Sequence, residues 1–230
     1  MDALCIVAHG SRIESANQGL QLLKEGFENS LSIPIYLGYS DKSKDQQHLR
    51  SICQTMQEEG MNSIGILPLY MTQGHIYTRA MEIIRSYDFT LTEYPTLLSD
   101  IESVSSAIPY WIDYQPDTYY LLVAHNSTQQ NQVLFDQLQE KINKDNIKIV
   151  VLDHNTDFQT WCPDTDYPIE IIPFMMVNGH HVEKDLKMEL LPLFKSKGYR
   201  VQLQSIGLPS RKAFRDWMVQ YVKGQGENNV

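Results

Sequence analysis

The chain repeats itself, and the repeat constrains the fold more than any local signal does. The stretch DALCIVAHGS, from Asp2, returns as TYYLLVAHNS, from Thr118 to Ser127. IPIYLGYSD, from Ile33, returns as IKIVVLDHN, Ile147 to Asn155. SIGILPLYMTQGHI, from Ser63, returns as PIEIIPFMMVNGHH, Pro168 to His181. Spacing is kept too: Pro68 stands six residues before Gly74, and Pro173 six before Gly179. A repeat of this length fixes architecture first. It predicts two half-size units, residues 1–115 and 116–230, divided near Gln115.

Within each unit, apolar runs of strand length alternate with helical periodicity. Ala3 to His9, Ile33 to Tyr39 and Ser63 to Met71 read as strands. Leu20, Leu23 and Phe27 mark one helix face, and Leu49, Ile52, Cys53 and Met56 another, stopped at Gly60. HIYTRAMEIIRSY reads as a third helix. A βαβαβα order with near-continuous apolar strands implies an α/β fold with a parallel sheet covered on both faces. The second unit is abridged: only TDFQTWCPDTDY separates its second and third strands. A helix lies within Leu98 to Asp117. The chain closes with a helix from Val182, the strand YRVQLQ, a helix in SRKAFRDWMVQYV, and a tail, KGQGENNV, expected to fray.

Composition narrows the partners. With 28 acidic and 19 basic residues the net charge is −9, and no Lys/Arg cluster stands out. Nucleic-acid binding is not expected, and a polyanionic ligand would need local cations. No apolar run approaches a membrane span, and the N-terminus lacks a basic leader. Cys5, Cys53 and Cys162 are too scattered for a disulfide framework. They read as reduced thiols, two of them core, in a cytoplasmic protein.

Ligands of open parallel sheets bind beyond the carboxyl ends of the strands. His9, Gly38 to Asp41, and His75 fall there in the first unit. His125, then Asp153 and His154, then His180 and His181 fall there in the second. Imidazoles converging with a carboxylate suit a divalent first-row metal, and also proton transfer near neutral pH. Each piece has a plainer reading. A histidine at a strand end is often only a satisfied polar residue, Asp153–His154 reads equally as a turn, and Met175–Met176 reads as strand core. Adjacent residues rarely both face one site, so His180 reads equally as surface. The recurrence of histidine at matching strand ends favours function.

IVAHGSR, IIPFMMVNGHHVEKDL, LPLYMTQGHIYTRAM and SIGLPSRKAFRDWMV together resemble the class II chelatases, the sirohydrochlorin cobalt and iron chelatases. The resemblance spans essentially the whole chain. It implies a ferrochelatase-like bilobal fold, two similar Rossmann-like halves with a tetrapyrrole cleft. It implies a lyase that inserts Fe²⁺ or Co²⁺, with Ni²⁺ a third candidate, into sirohydrochlorin for sirohaem or cobalamin biosynthesis. No cofactor is expected beyond that substrate metal. The partner is the tetrapyrrole, and the protein is a monomer or homodimer.

In the family's cobalt enzymes of this size the site lies in the C-terminal half. The motif's histidine falls eight residues after the proline, which gives His181 in the second unit and Ile76 in the first. The family's acid falls on Asp153, with Gly38 as its expected first-half equivalent and Asp41 three residues later. The resemblance thus implies His125, Asp153 and His181 as catalytic and metal-holding residues, with His154 and His180 as further ligands. It places His9 and His75 on the opposite wall of the cleft, and offers Arg12, Arg79 and Lys184 for substrate carboxylates, by bidentate pairing in the case of arginine. Three features depart from the family pattern: Asp153 is shorter than the usual Glu, AHNS replaces His-Gly-Ser/Thr, and the second unit lacks a helix. They leave open a metal- or tetrapyrrole-binding carrier or sensor without catalysis.

Overall fold

The first strand, β1 (Ala3–Ala8), is buried along its whole length. Its side chains alternate between two cores, as period two requires. Leu4, Ile6 and Ala8 enter one apolar layer, and Ala3, Cys5 and Val7 enter another. A strand buried on both faces needs helices on both faces. The computed structural model describes residues 1–41, 48–125, 129–153, 156–177 and 179–227, and it supplies those helices.

β1 is followed by α1 (Gln18–Glu28), β2 (Ile35–Tyr39), α2 (Leu49–Glu58), β3 (Ser63–Leu69), α3 (His75–Arg85), β4 (Thr90–Glu93) and α4 (Ile101–Trp111). The second half runs β5 (Tyr119–His125), α5 (Gln129–Ile142), β6 (Ile147–Leu152), β7 (Ile169–Pro173), a π-helical segment (Val182–Leu190) leading into α6 (Leu191–Ser196), β8 (Val201–Leu203) and α7 (Lys212–Glu227). The two sheets are parallel throughout and have the same order, β2-β1-β3-β4 and β6-β5-β7-β8. The duplication is thus repeated in topology. A single 3₁₀ turn, Phe158–Trp161, stands where the first half has α2. α7 continues to Glu227, through residues expected to fray.

Register gives one correction. Val7 pairs with Gly38 and Pro68, and Val123 pairs with Val150 and Pro173. Gly38 therefore matches Val150, and Asp41, not Gly38, matches Asp153. In the first half α2 lies close over this position. A Cβ on Gly38 would lie 2.7 Å from Leu49 Cδ1, at the start of α2. In the second half that helix is missing, and valine fits.

The recurrent prolines are explained by the same ladder. Ile66 C=O accepts from Tyr94 N–H, and Ile171 C=O from Gln204 N–H. Two residues on, Pro68 and Pro173 face the same side, past the last β4 and β8 pairs. The missing N–H therefore costs no ladder bond.

The largest apolar layer is shared by the halves. Leu4, Ile6 and Leu20 enter it from one side, and Tyr120, Leu122 and Phe135 from the other. Trp111 of α4 stands edge-on to Phe214 and Trp217 of α7, with centroids 5.1 and 5.0 Å apart. The outer faces carry separate cores, Cys53, Met56 and Ile84 on one sheet and Leu186, Leu190 and Phe194 on the other. Cys5 and Cys53 are buried free thiols, and burial pushes Cys53 up to about 12. Among the described residues, no helix is long and apolar enough to cross a membrane.

α1 lies close against the turn Leu208–Ser210, which leads into α7. A Cβ on Gly19 would sit 2.6 Å from Ser210 N and 2.9 Å from Pro209 C. Backbone cannot yield there as a side-chain tip can. Gly19→Ala is expected to destabilise the fold by about 1–3 kcal/mol through overpacking, measured as a lower urea midpoint.

Candidate functional site

The carboxyl ends of the second sheet bring the candidate histidines together. β5 ends in His125 itself, exposed at the rim. β7 ends at Pro173, and the chain after it is pinned by Phe174 N–H to Val123 C=O and by Leu208 N–H to Met175 C=O. A helix then starts at His180, with Val182 N–H donating to Gly179 C=O. This sets His180 and His181 in its first turn. The helix is π-wound from Val182 to Leu190, a geometry that concentrates at functional sites.

The rings of His125 and His181 stack at 4.1 Å, 28° from parallel. His181 Nδ1 lies 2.6 Å from Asp185 Oδ2, four residues on. An ionised carboxylate only accepts, so Nδ1 carries the proton and the Nε2 lone pair is left for a metal or a proton. Asp185 is well covered, with a side chain 17% exposed, while that of His181 is 39% exposed. The pair is thus anchored on one side and open on the other.

These groups border a cavity of about 240 Å³, together with Asp153, His180, Lys184 and Glu189. Both adjacent histidines reach it, because a wide pocket at a helix start can border neighbouring positions. The Asp153 main-chain N–H donates to Thr156 Oγ1 at 2.8 Å, and that hydroxyl lies 3.1 Å from Asp153 Oδ1. His154 lies outside the described residues. Three carboxylates stand against one ammonium, a charge balance suited to a cation. Among the described residues, no three His, Cys, Asp or Glu side chains converge into a set able to hold a metal. The expected ligand set of His125, Asp153, His180 and His181 is thus gathered around one cavity but not closed on a point.

The first half differs where it matters. Ile76 and Ala80 take the places of His181 and Asp185, so the first half has no imidazole–carboxylate pair at the corresponding positions. His9, just past β1, and His75, the first residue of α3, are exposed, and His9 Nδ1 lies 3.4 Å from Ser40 Oγ. Arg12 is highly exposed, with Nε 4.0 Å from Asp41 Oδ2. None of His9, Arg12, His75 and Arg79 lines the His125–His181 cavity, whereas Lys184 does. Sequence reasoning missed Asp185 and Glu189. The signal available for Asp185 was its position four residues after His181 on a helix.

The sequence of residues 42–226 matches the family model described as cobalt chelatase (CbiK). The chain belongs to the cobalt chelatase (CbiK) family. A sequence comparison with curated proteins finds no significant match.

Solved structures of known proteins share the fold. DR2241 from Deinococcus radiodurans, a multi-domain protein with structural similarity to chelatases and two additional domains, superposes with a TM-score of 0.71 at 12% identity. The match covers 95% of this chain and 53% of that one, so the chain spans about half the length of the Deinococcus protein. The sirohydrochlorin chelatase SirB from Bacillus subtilis subspecies spizizenii, in complex with cobalt, superposes at 0.68 with 15% identity, over 98% and 95% of the two chains. SirB from Bacillus subtilis with Fe³⁺ gives 0.67 and 15%, over 96% and 94%. The two-lobed α/β architecture is that of these chelatases.

If Asp185 fixes the His181 ring, Asp185→Asn is expected to weaken cobalt binding or turnover about 10- to 100-fold. The urea midpoint should stay close to that of the unchanged protein. Calorimetric cobalt titration alongside denaturation separates the two effects.

Proposed function

We propose that this protein is a sirohydrochlorin chelatase that inserts Fe²⁺ or Co²⁺, on a route to sirohaem or a cobalt corrinoid. The observation that carries the reading is the His181–Asp185 pair, stacked on His125 at the rim of an acidic cavity. Membership of the cobalt chelatase family supports it.

The chemistry has two requirements. A divalent metal must be delivered with part of its water removed, and two pyrrole N–H protons must leave the macrocycle. One dication enters as two protons depart, so charge balances. His181, held by Asp185, presents Nε2 as a base or metal donor. His125 provides a second imidazole beside it. Asp153 and Glu189 add negative charge that favours the incoming cation and the outgoing protons. Bending of the macrocycle on binding would expose its nitrogen lone pairs.

A second reading has its own support: among the described residues the second half has only the 3₁₀ turn Phe158–Trp161 where the first half has α2. A carrier or sensor of metal or metallated tetrapyrrole would need only capture. It would retain its ligand in one-to-one stoichiometry without turnover.

The readings separate in one assay. Purified protein mixed with sirohydrochlorin and Co²⁺ or Fe²⁺ is expected to accelerate the change in the absorbance spectrum over the spontaneous reaction. His181→Ala should lower the rate about 100-fold or more, the scale of a positioned acid–base group. It should do so without a change in thermal midpoint. His9→Ala should lose much less. The opposite ranking would move the site to the first half, and no acceleration by the unchanged protein would remove the catalytic reading.

A further inference from the structure

Asp153 carries its carboxylate on an arm shorter than that of a glutamate, so its reach depends on how its backbone is turned. The duplication shows what turns it. Asp41 is the first-half match of Asp153 in strand register. Asp41 N–H donates to His9 C=O at 3.0 Å, which ties it back to the chain leaving β1. Its Oδ2 lies 4.0 Å from Arg12 Nε. Asp153 N–H goes elsewhere: it donates to Thr156 Oγ1 at 2.8 Å. At the same distance beyond Asp41 the sequence has Lys44, which carries no hydroxyl.

The Thr156 hydroxyl reaches further than the main-chain N–H. Its own hydrogen has two acceptors at 3.1 Å, the Asp153 C=O and Asp153 Oδ1. One side chain thus contacts both the backbone and the carboxylate of Asp153 and sets the direction in which the carboxylate is carried. Asp153 is exposed at the rim, and a side chain there loses rotamer freedom when it takes a metal. A hydrogen bond already in place removes part of that cost before the ion arrives.

Thr156 is itself supported. It borders the same cavity as Asp153, His125 and His181. The 3₁₀ turn Phe158–Trp161 comes just after it, capped by Gln159 N–H to Asp157 Oδ1 at 3.0 Å. Thr160 Oγ1 donates to Asp157 C=O at 2.7 Å and tightens the turn. Phe158 stands edge-on to Trp161, with centroids 5.1 Å apart, and both pack against the outer core of the second sheet. The turn that stands where the first half has α2 thus anchors the segment that offers the hydroxyl to Asp153.

We propose that Thr156 is a positioning residue for metal capture. Its hydroxyl takes Asp153 out of the contact that Asp41 makes and holds the carboxylate at the cavity shared with His125 and His181. Thr156 acts through Asp153 and is not itself a ligand. That the captured ion is the one inserted rests on the chelatase reading above.

The test uses Thr156→Val, which removes the hydroxyl at nearly the same shape, and Thr156→Ser, which keeps it. Co²⁺ alone is titrated by calorimetry, and its insertion into sirohydrochlorin is followed by absorbance. Thr156→Val is expected to raise the Co²⁺ Kd and the KM for Co²⁺ about ten-fold, with Thr156→Ser within about two-fold of the unchanged protein. The KM for sirohydrochlorin should not move. A double-mutant cycle shows whether the effect passes through Asp153: in an Asp153→Ala background, Thr156→Val should weaken Co²⁺ binding no further. The same loss in that background would mark a general effect on the fold and overturn the proposal. An unchanged Co²⁺ Kd in Thr156→Val would overturn it too, as would absence of Co²⁺ binding by the unchanged protein. If the unchanged protein binds Co²⁺ but inserts none, the chelatase reading fails while the Co²⁺ cycle still decides the positioning role.

Discussion

The apolar layer between the two sheets is what the rest of the molecule depends on. Alternate side chains of β1 and β5 both point into it, and α1, α4, α5 and α7 fill it. Burial of large aliphatic and aromatic side chains at about 1.5–3 kcal/mol each makes such a layer the dominant stabilising term. Because it is common to both halves, neither sheet can shift without disturbing the other. The carboxyl rims, where the polar residues gather, are thereby held in a fixed relation. The close approach of Gly19 to Ser210 belongs to the same arrangement: α1 of the first half rests directly on the turn that launches α7.

On that frame the two copies have diverged by small exchanges. Ile76 for His181 and Ala80 for Asp185 separate an apolar helix start from an imidazole held by a carboxylate. Among the described residues the second half has no α2 over Val150, whereas in the first half a Cβ on Gly38 would displace the tip of Leu49. Among the described residues, a cavity on the second half is bordered by three carboxylates and one ammonium, and one on the first half by two guanidiniums and Glu82.

Much of this was legible in the residues. β1, β3 and β5 are near-continuous apolar runs, β7 is one interrupted by Glu170, and the repeated Pro–Gly spacing aligned the third strands correctly. β4 was not legible, since Thr90–Glu93 is a short and largely exposed edge strand without apolar alternation. Its counterpart YRVQLQ was the only hint. The match of Asp153 to Asp41 was missed because pattern alone does not fix register, which depends on pairing with β1. Asp185 looked like one more charge on a charged helix until its contact with His181 gave it a role. Arg50 sits on a helix read only for its apolar face. The π winding of Val182–Leu190 has no composition signal at all.

The two prolines have an effect beyond their own strands. Each removes the N–H that an outer strand would need in order to grow toward the rim. β4 and β8 end below that level, and main-chain bonding to the outer segments resumes only past the prolines, from Leu97 N–H to Tyr70 C=O and from Leu208 N–H to Met175 C=O. The two prolines thus set, at the same level in both sheets, where the edge ladder breaks.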